Sequence, residues 1–240
     1  GRYEEAFDLY EKIMEIEDDK DASEPFGYEN ERWDYVDKLN NFGRHEKAIK
    51  LCDEAGEGHD LALVKKAESL EQLGRYEEAI KCIDEAISNV IENEAWYMVG
   101  DYYGKKTELL NRLGRHGEAL ECIDEGIEKV IKDQAKEDGF YNWELDEVLF
   151  YHLLPHKAKS LKQLGRCEEA LECCEKGIAM SSGESKFRHA EDFWNTKMES
   201  LEQLGRYEEA EKCSDKADSK MTKDRAYGRK GPRHKTLFWR

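Results

Sequence analysis

Residues 70–87 read LEQLGRYEEAIKCIDEAI, and the chain writes nearly the same line as LNRLGRHGEALECIDEGI at 110–127 and LEQLGRYEEAEKCSDKA at 201–217. In the first copy Tyr76, Ala79, Ile80, Ile83, Ala86 and Ile87 recur at i, i+3, i+4, i+7, the spacing of one apolar stripe on a helix. Glu77 and Glu78 fall in its first turn, where carboxylates complement the helix dipole. Upstream, Leu63, Ala67, Leu70 and Leu73 make a second stripe. Gly74 closes it, because a residue without Cβ takes the left-handed conformation that a helix end needs. Each unit is thus read as two antiparallel helices joined by a tight glycine turn. A lone pair cannot bury both stripes, so each copy needs another stacked beside it.

Gly-Arg marks the turns at Gly1, Gly43, Gly74, Gly114, Gly165 and Gly205, at intervals of 42, 31, 40, 51 and 40 residues, the range of helical solenoids. The expected organisation is a second helix alone at 1–19, then repeats at 28–58, 59–92, 94–135, 140–181 and 187–220, and a basic aromatic tail at 221–240. AGEGHD (55–60) reads as a tight turn that shortens the helix before it, which accounts for the 31-residue interval. The 140–181 repeat carries the largest insertion, KEDGFYNWELDEVLFYHLLPHK (136–157), where Pro155 should start or kink a helix. The opening GRYEEAFDLY reads as the middle of a repeat, so the sequence is expected to be part of a longer protein.

Counted from each glycine, a small residue falls five positions later at Ala6, Ala48, Ala79, Ala119, Ala170 and Ala210. Position +2 is Tyr3, His45, Tyr76, His116, Cys167 and Tyr207, and position −4 is Leu39, Leu70, Leu110, Leu161 and Leu201. This pattern resembles the tetratricopeptide repeat (TPR) family over nearly all of residues 1–220. It departs at position −7, where Val36, Thr107 and Met198 replace a small residue, and the proline that commonly closes a unit is absent. The resemblance implies an all-α, right-handed superhelical solenoid of five helix pairs after the leading half repeat. It also implies ligands held against the first helix of each pair.

Charge divides the chain. Residues 221–240 carry seven Lys or Arg and one Asp, so a formal net charge of −17 leaves −23 on residues 1–220. A body so acidic repels a phosphate backbone and is not expected to bind nucleic acid. No apolar run reaches transmembrane length, VLFYHLL at 148–154 being the longest approach. Seven cysteines, an odd number without a C-x-x-C pair, are read as packing residues in a reducing cytoplasm. Four of them, Cys82, Cys122, Cys173 and Cys213, sit eight residues after their glycines. Helices pack about 8–10 Å apart, whereas disulfide Cα pairs need roughly 4.4–6.8 Å. His152 and His156 are four apart, a spacing that would suit a metal pair with Glu144, Asp146 and Glu147 upstream, but no H-E-x-x-H accompanies them. No nucleophile elbow, phosphate loop or kinase signature is written. Neither cofactor nor metal is expected.

The inward positions that the resemblance assigns (−13, −10, −6, −3 and −2) bring out one basic stretch in an acidic chain. Its expected partner-binding residues are Lys105, Asn111, Arg112, His152, His156, Lys159 and Lys162, which would clamp an acidic peptide. The opposing reading is that these side chains only neutralise nearby acids. In the tail, Arg229, Lys230, Arg233, Lys235, Phe238 and Trp239 are candidates for contact with a partner. The tail either folds back on the acidic body, binds RNA through charge and stacking, or has no role. The leading expectation is a non-catalytic scaffold that assembles a complex around a bound peptide or protein. A ribonucleoprotein factor acting through the tail is the alternative, and a helical metal-dependent enzyme the third reading.

Overall fold

The computed structural model describes residues 28–56, 58–93, 98–134, 149–180 and 190–228, and no strand occurs among them. The chain divides into two compact units between Ala95 and Trp96. The first unit holds α1 (Tyr28–Asn41), α2 (His45–Asp53), α3 (Asp60–Gln72) and α4 (Tyr76–Glu92). The second holds α5 (Val99–Arg112), α6 (His116–Gln134), a π turn (Leu149–Leu153), α7 (Leu154–Gln163), α8 (Cys167–Met180), α9 (Glu191–Gln203) and α10 (Tyr207–Gly228). The fold is all-α and tetratricopeptide-like: helices pair in sequence order, and α3, α7 and α9 each pack against the helix before and the helix after.

One turn joins every pair. Gly43, Gly74, Gly114, Gly165 and Gly205 sit at φ of +73° or +74°. At Gly43 the glycine N–H donates to the Asn40 carbonyl at 3.0 Å, and the Arg44 N–H donates to the Leu39 carbonyl at 2.8 Å. The same two bonds recur at the other four turns. They are the paired closing bonds of a Schellman motif, which satisfy carbonyls that the helix end leaves open. The arginine then grips the first turn of the next helix: Arg75 Nε lies 2.7 Å from Glu78 Oε1, and Arg115, Arg166 and Arg206 repeat the clamp on Glu118, Glu169 and Glu209.

Five residues past each glycine, Ala48, Ala79, Ala119 and Ala170 are fully buried and Ala210 nearly so, letting the second helix approach the first closely. Leu39, Leu70, Leu110, Leu161 and Leu201 fill the other side of each crossing. Each such side chain contributes roughly 1.5–3 kcal/mol by leaving water. The short spacing in unit 1 has its cause in α2, which stops at Asp53 ahead of two left-handed glycines, Gly56 and Gly58. Pro155 stands in the first turn of α7, directly after the π turn. There its missing N–H costs no helical bond, and the wider π turn relieves the crowding that the ring imposes one turn back. At the C-terminal end α10 carries helix on to Gly228, past residue 220.

All seven cysteines are free and buried. Burial pushes the Cys52 thiol up to about 12 and the Cys173 thiol up to about 11, so both stay protonated near neutrality and pack as small apolar groups.

Candidate functional site

The basic stretch read from the sequence lies on α5 and α7 of the second unit, facing α9. Its residues come with acids beside them. His152, at the end of the π turn, has its Nδ1 on Asp101 of α5. Arg112 reaches back 3.2 Å to Glu108 one turn earlier on the same helix. Lys162 of α7 pairs with Glu199 of α9, its own side chain nearly covered while the carboxylate stays open. Lys105 is half-buried on α5 and Lys159 is exposed on α7. Among the described residues no carboxylate is bonded to Lys159.

Asn111 occupies a different place from the other candidates. Its Nδ2 donates to Ser160 Oγ at 2.8 Å, and its Oδ1 lies 2.9 Å from His116 Nδ1. Ser160 in turn donates to the His156 carbonyl at 2.9 Å. The asparagine thus ties α5 to α6 and to the following first helix. Unit 1 builds the same device, with His45 Nδ1 3.2 Å from Asn40 Oδ1 and Ser69 Oγ donating to that oxygen at 2.8 Å. Sequence reading missed these buried serines, although the signal was present: the two turns with His at +2 are the two with Asn at −3. Where +2 is Tyr (Tyr76, Tyr207), position −3 is Glu (Glu71, Glu202).

His156 is largely enclosed. It lies over Gly104 of α5, where a Cβ would come within 3.2 Å of the imidazole Cδ2 and 2.7 Å of the His152 carbonyl oxygen. Burial at this crossing holds the imidazole below the ordinary histidine range. Lys159 and His152 push the same way, against the pull of Glu108 and Asp192. Glu108 stays ionised, since Lys105, the Arg112 hydrogen bond and His156 together outweigh its own burial and lower its pKa. Because the folded chain resists protonating His156 while the unfolded chain does not, stability should fall as pH drops through about 6.5, the ordinary histidine value. His156→Gln, followed by thermal unfolding between pH 7.5 and pH 5.5, should flatten that dependence.

In unit 1 the corresponding face differs. Trp33, at the inward −10 position, is 5% exposed and sits 5.0 Å from the His59 ring. Asp37 accepts from Lys65 of α3 at 2.5 Å. Lys65 also pairs with Glu68 of its own helix at 3.5 Å, so its charge is shared between two acids.

The tail candidates Arg229, Lys230, Arg233, Lys235, Phe238 and Trp239 lie outside the described residues, as do Glu144, Asp146 and Glu147. Among the described residues no group of three His, Cys, Asp or Glu side chains is placed to hold a metal ion. Nor is any helix among them long and apolar enough to cross a membrane.

Residues 62–89 match the tetratricopeptide repeat family. No curated protein sequence matches significantly. Among solved structures, MamA is 17% identical, with 82% of this chain aligned to 93% of that one at a TM-score of 0.55. The nearly identical TPR-like repeats of a Podosopora anserina protein designated a kinesin light chain are 14% identical over 82% of this chain and 96% of that one, at 0.59. BtubC from P. vanneervenii is 16% identical over 88% and 86%, at 0.61. At these identities the likeness is one of fold. The repeat match thus covers residues 62–89, and the described residues as a whole share the tetratricopeptide-like all-α fold. Repeats of this class serve in general as surfaces for protein partners.

Proposed function

We propose that the second unit is a non-catalytic scaffold that holds an acidic segment of a partner protein against α5, α7 and α9. The observation that carries this reading is the unequal state of two neighbouring lysines. Lys159 projects into solvent without a bonded carboxylate among the described residues, while one turn on Lys162 is held by an exposed acid, Glu199. A carboxylate of the partner would meet Lys159 first and then compete with Glu199 for Lys162. Arg112 and Lys105 extend the positive stretch along α5, and His152 on the π turn and His156 on α7 border it. The local acids set specificity: a peptide whose carboxylates miss the lysines would meet Asp101, Glu108 or Asp192 and be repelled. Free, buried thiols throughout suit a reducing compartment, and we place the protein in the cytoplasm.

The test is capture of partners from lysate by the intact chain and its variants, with circular dichroism as a check on folding. Lys159→Glu with Lys162→Glu should weaken capture about tenfold or more while leaving helix content unchanged. Glu199→Gln should release Lys162 and tighten capture about two- to fivefold, the scale of one exposed ion pair. Capture unaffected by either change would remove this surface from the function.

A further inference from the structure

The second helices share a stripe running from position +2 through +6, +9 and +13 after the glycine. In α4 it reads Tyr76, Ile80, Ile83 and Ile87, in α6 His116, Leu120, Ile123 and Ile127, and in α8 Cys167, Leu171, Cys174 and Ile178. In α8 this stripe faces the next repeat. The Cys167 thiol donates to Gln203 Oε1 of α9 at 3.0 Å, and Cys174 lies near enough to Lys197 of α9 for that charge to reach the thiol. In α10 the same stripe reads Tyr207, Glu211, Ser214 and Asp218. Tyr207 is 68% exposed where its counterpart Cys167 is 4% exposed. The face that receives a helix on α8 carries polar and acidic residues in α10, where Tyr207 and Glu211 are exposed.

Charge is also sorted around α10. Glu208, Glu211 and Asp215, at i, i+3 and i+7, flank Tyr207 on the uncovered side, while Lys212 and Lys216 fall on another side of the helix. After Gly228, residues 229–240 carry five Lys or Arg, no acid, and Leu237, Phe238 and Trp239. The reach matches as well. α10, at 22 residues, is about 33 Å long, and the ten residues from Gly228 to Phe238 span about 33–36 Å when extended.

We propose that residues 229–240 of this same chain lie back along the uncovered stripe of α10, antiparallel to it, with Phe238 and Trp239 over Tyr207. Arg233 and Lys235 come nearest the acids beside the stripe. The tail stands where the first helix of a further repeat would stand. It covers an end that apolar residues no longer seal, and complementary charge selects it in preference to a neutral or acidic segment. This proposal does not depend on the peptide surface of α5, α7 and α9.

The experiment uses the full chain after nuclease treatment, as an equal mixture of ordinary and 15N-labelled protein. Zero-length carbodiimide coupling is read by mass spectrometry, and amide exchange is followed along α10. Expected are links from Lys235 to Glu211 or Asp215 within one isotopic species. Truncation after Gly228 should speed exchange in α10 about tenfold, and Tyr207→Ser with Glu211→Lys in the full chain should do the same. Links found only between isotopic species would assign the surface to a second copy and overturn the proposal. So would α10 exchange unchanged by truncation, or a tail that retains added RNA and gives no link to α10.

Discussion

Gly177→Ala should unfold the second unit at a temperature several degrees below the parent chain. The Cβ it introduces would lie 2.3 Å from Cζ of Phe193 and within 2.6 Å of two further ring carbons. Phe193 has no room to retreat: it is fully buried and packs at 5.5 Å on the ring of Phe150. Overpacking of this kind costs about 1–3 kcal/mol and sometimes more, against a helix-propensity gain of up to about 1 kcal/mol for losing the glycine. A net loss of about 2 kcal/mol is expected. The colliding atoms are all at the far end of the phenyl ring, so Phe193→Leu removes them. The double variant should therefore be more stable than the sum of the single changes allows, by about 1–2 kcal/mol in a double-mutant cycle on thermal or urea unfolding. Strict additivity would mean that α8 and α9 do not meet through this contact.

The second large effect is expected at Gly104, where stability and binding are coupled. Here the obstacle to a Cβ is backbone, the His152 carbonyl oxygen at 2.7 Å, which cannot rotate away as a side chain can. Gly104→Ala should push the π turn and α7 from α5, displace His156 and break the His152–Asp101 contact. A loss of about 2 kcal/mol is expected, with partner capture reduced as strongly as by reversing Lys159 and Lys162. Gly117 is the control. It sits in the first turn of α6 with nothing within 4 Å of its would-be Cβ, so Gly117→Ala should be neutral or stabilising by up to about 1 kcal/mol. If Gly104→Ala behaved like Gly117→Ala, the close α5–α7 crossing would be wrong.

The two glycines show what a repeat pattern conveys and what it conceals. Gly74, Gly114, Gly165 and Gly205 are legible from sequence because a left-handed turn is a local demand that any copy must meet in the same place. Gly104 and Gly177 lie inside helices, and nothing within the helix requires them. Their reason is a neighbour far along the chain, visible only once the helices are packed. The candidate site divides in the same way. Arg112, His152, Lys159 and Lys162 were found by counting back from the glycines, and Lys105 and His156 as neighbours of positions so counted. Counting could not show that Asp101 and Glu199 stand against His152 and Lys162, because that depends on how neighbouring first helices lie beside one another, whereas Glu108 and Arg112 are four apart on one helix. Asn111 was counted with the binding residues for its register, and its hydrogen bonds to Ser160 and His116 belong to the joint between helices.

Sequence by itself determined the all-α fold, the glycine turns, the alanines at each crossing and the burial of the cysteines. Each follows from periodicity and backbone chemistry within about forty residues. Tertiary structure alone decided which lysine is open and which is held, where His156 is enclosed, and that the stripe on α10 is left uncovered. Those properties arise from side chains of different helices meeting, and the period that writes one helix does not encode the distance to the next.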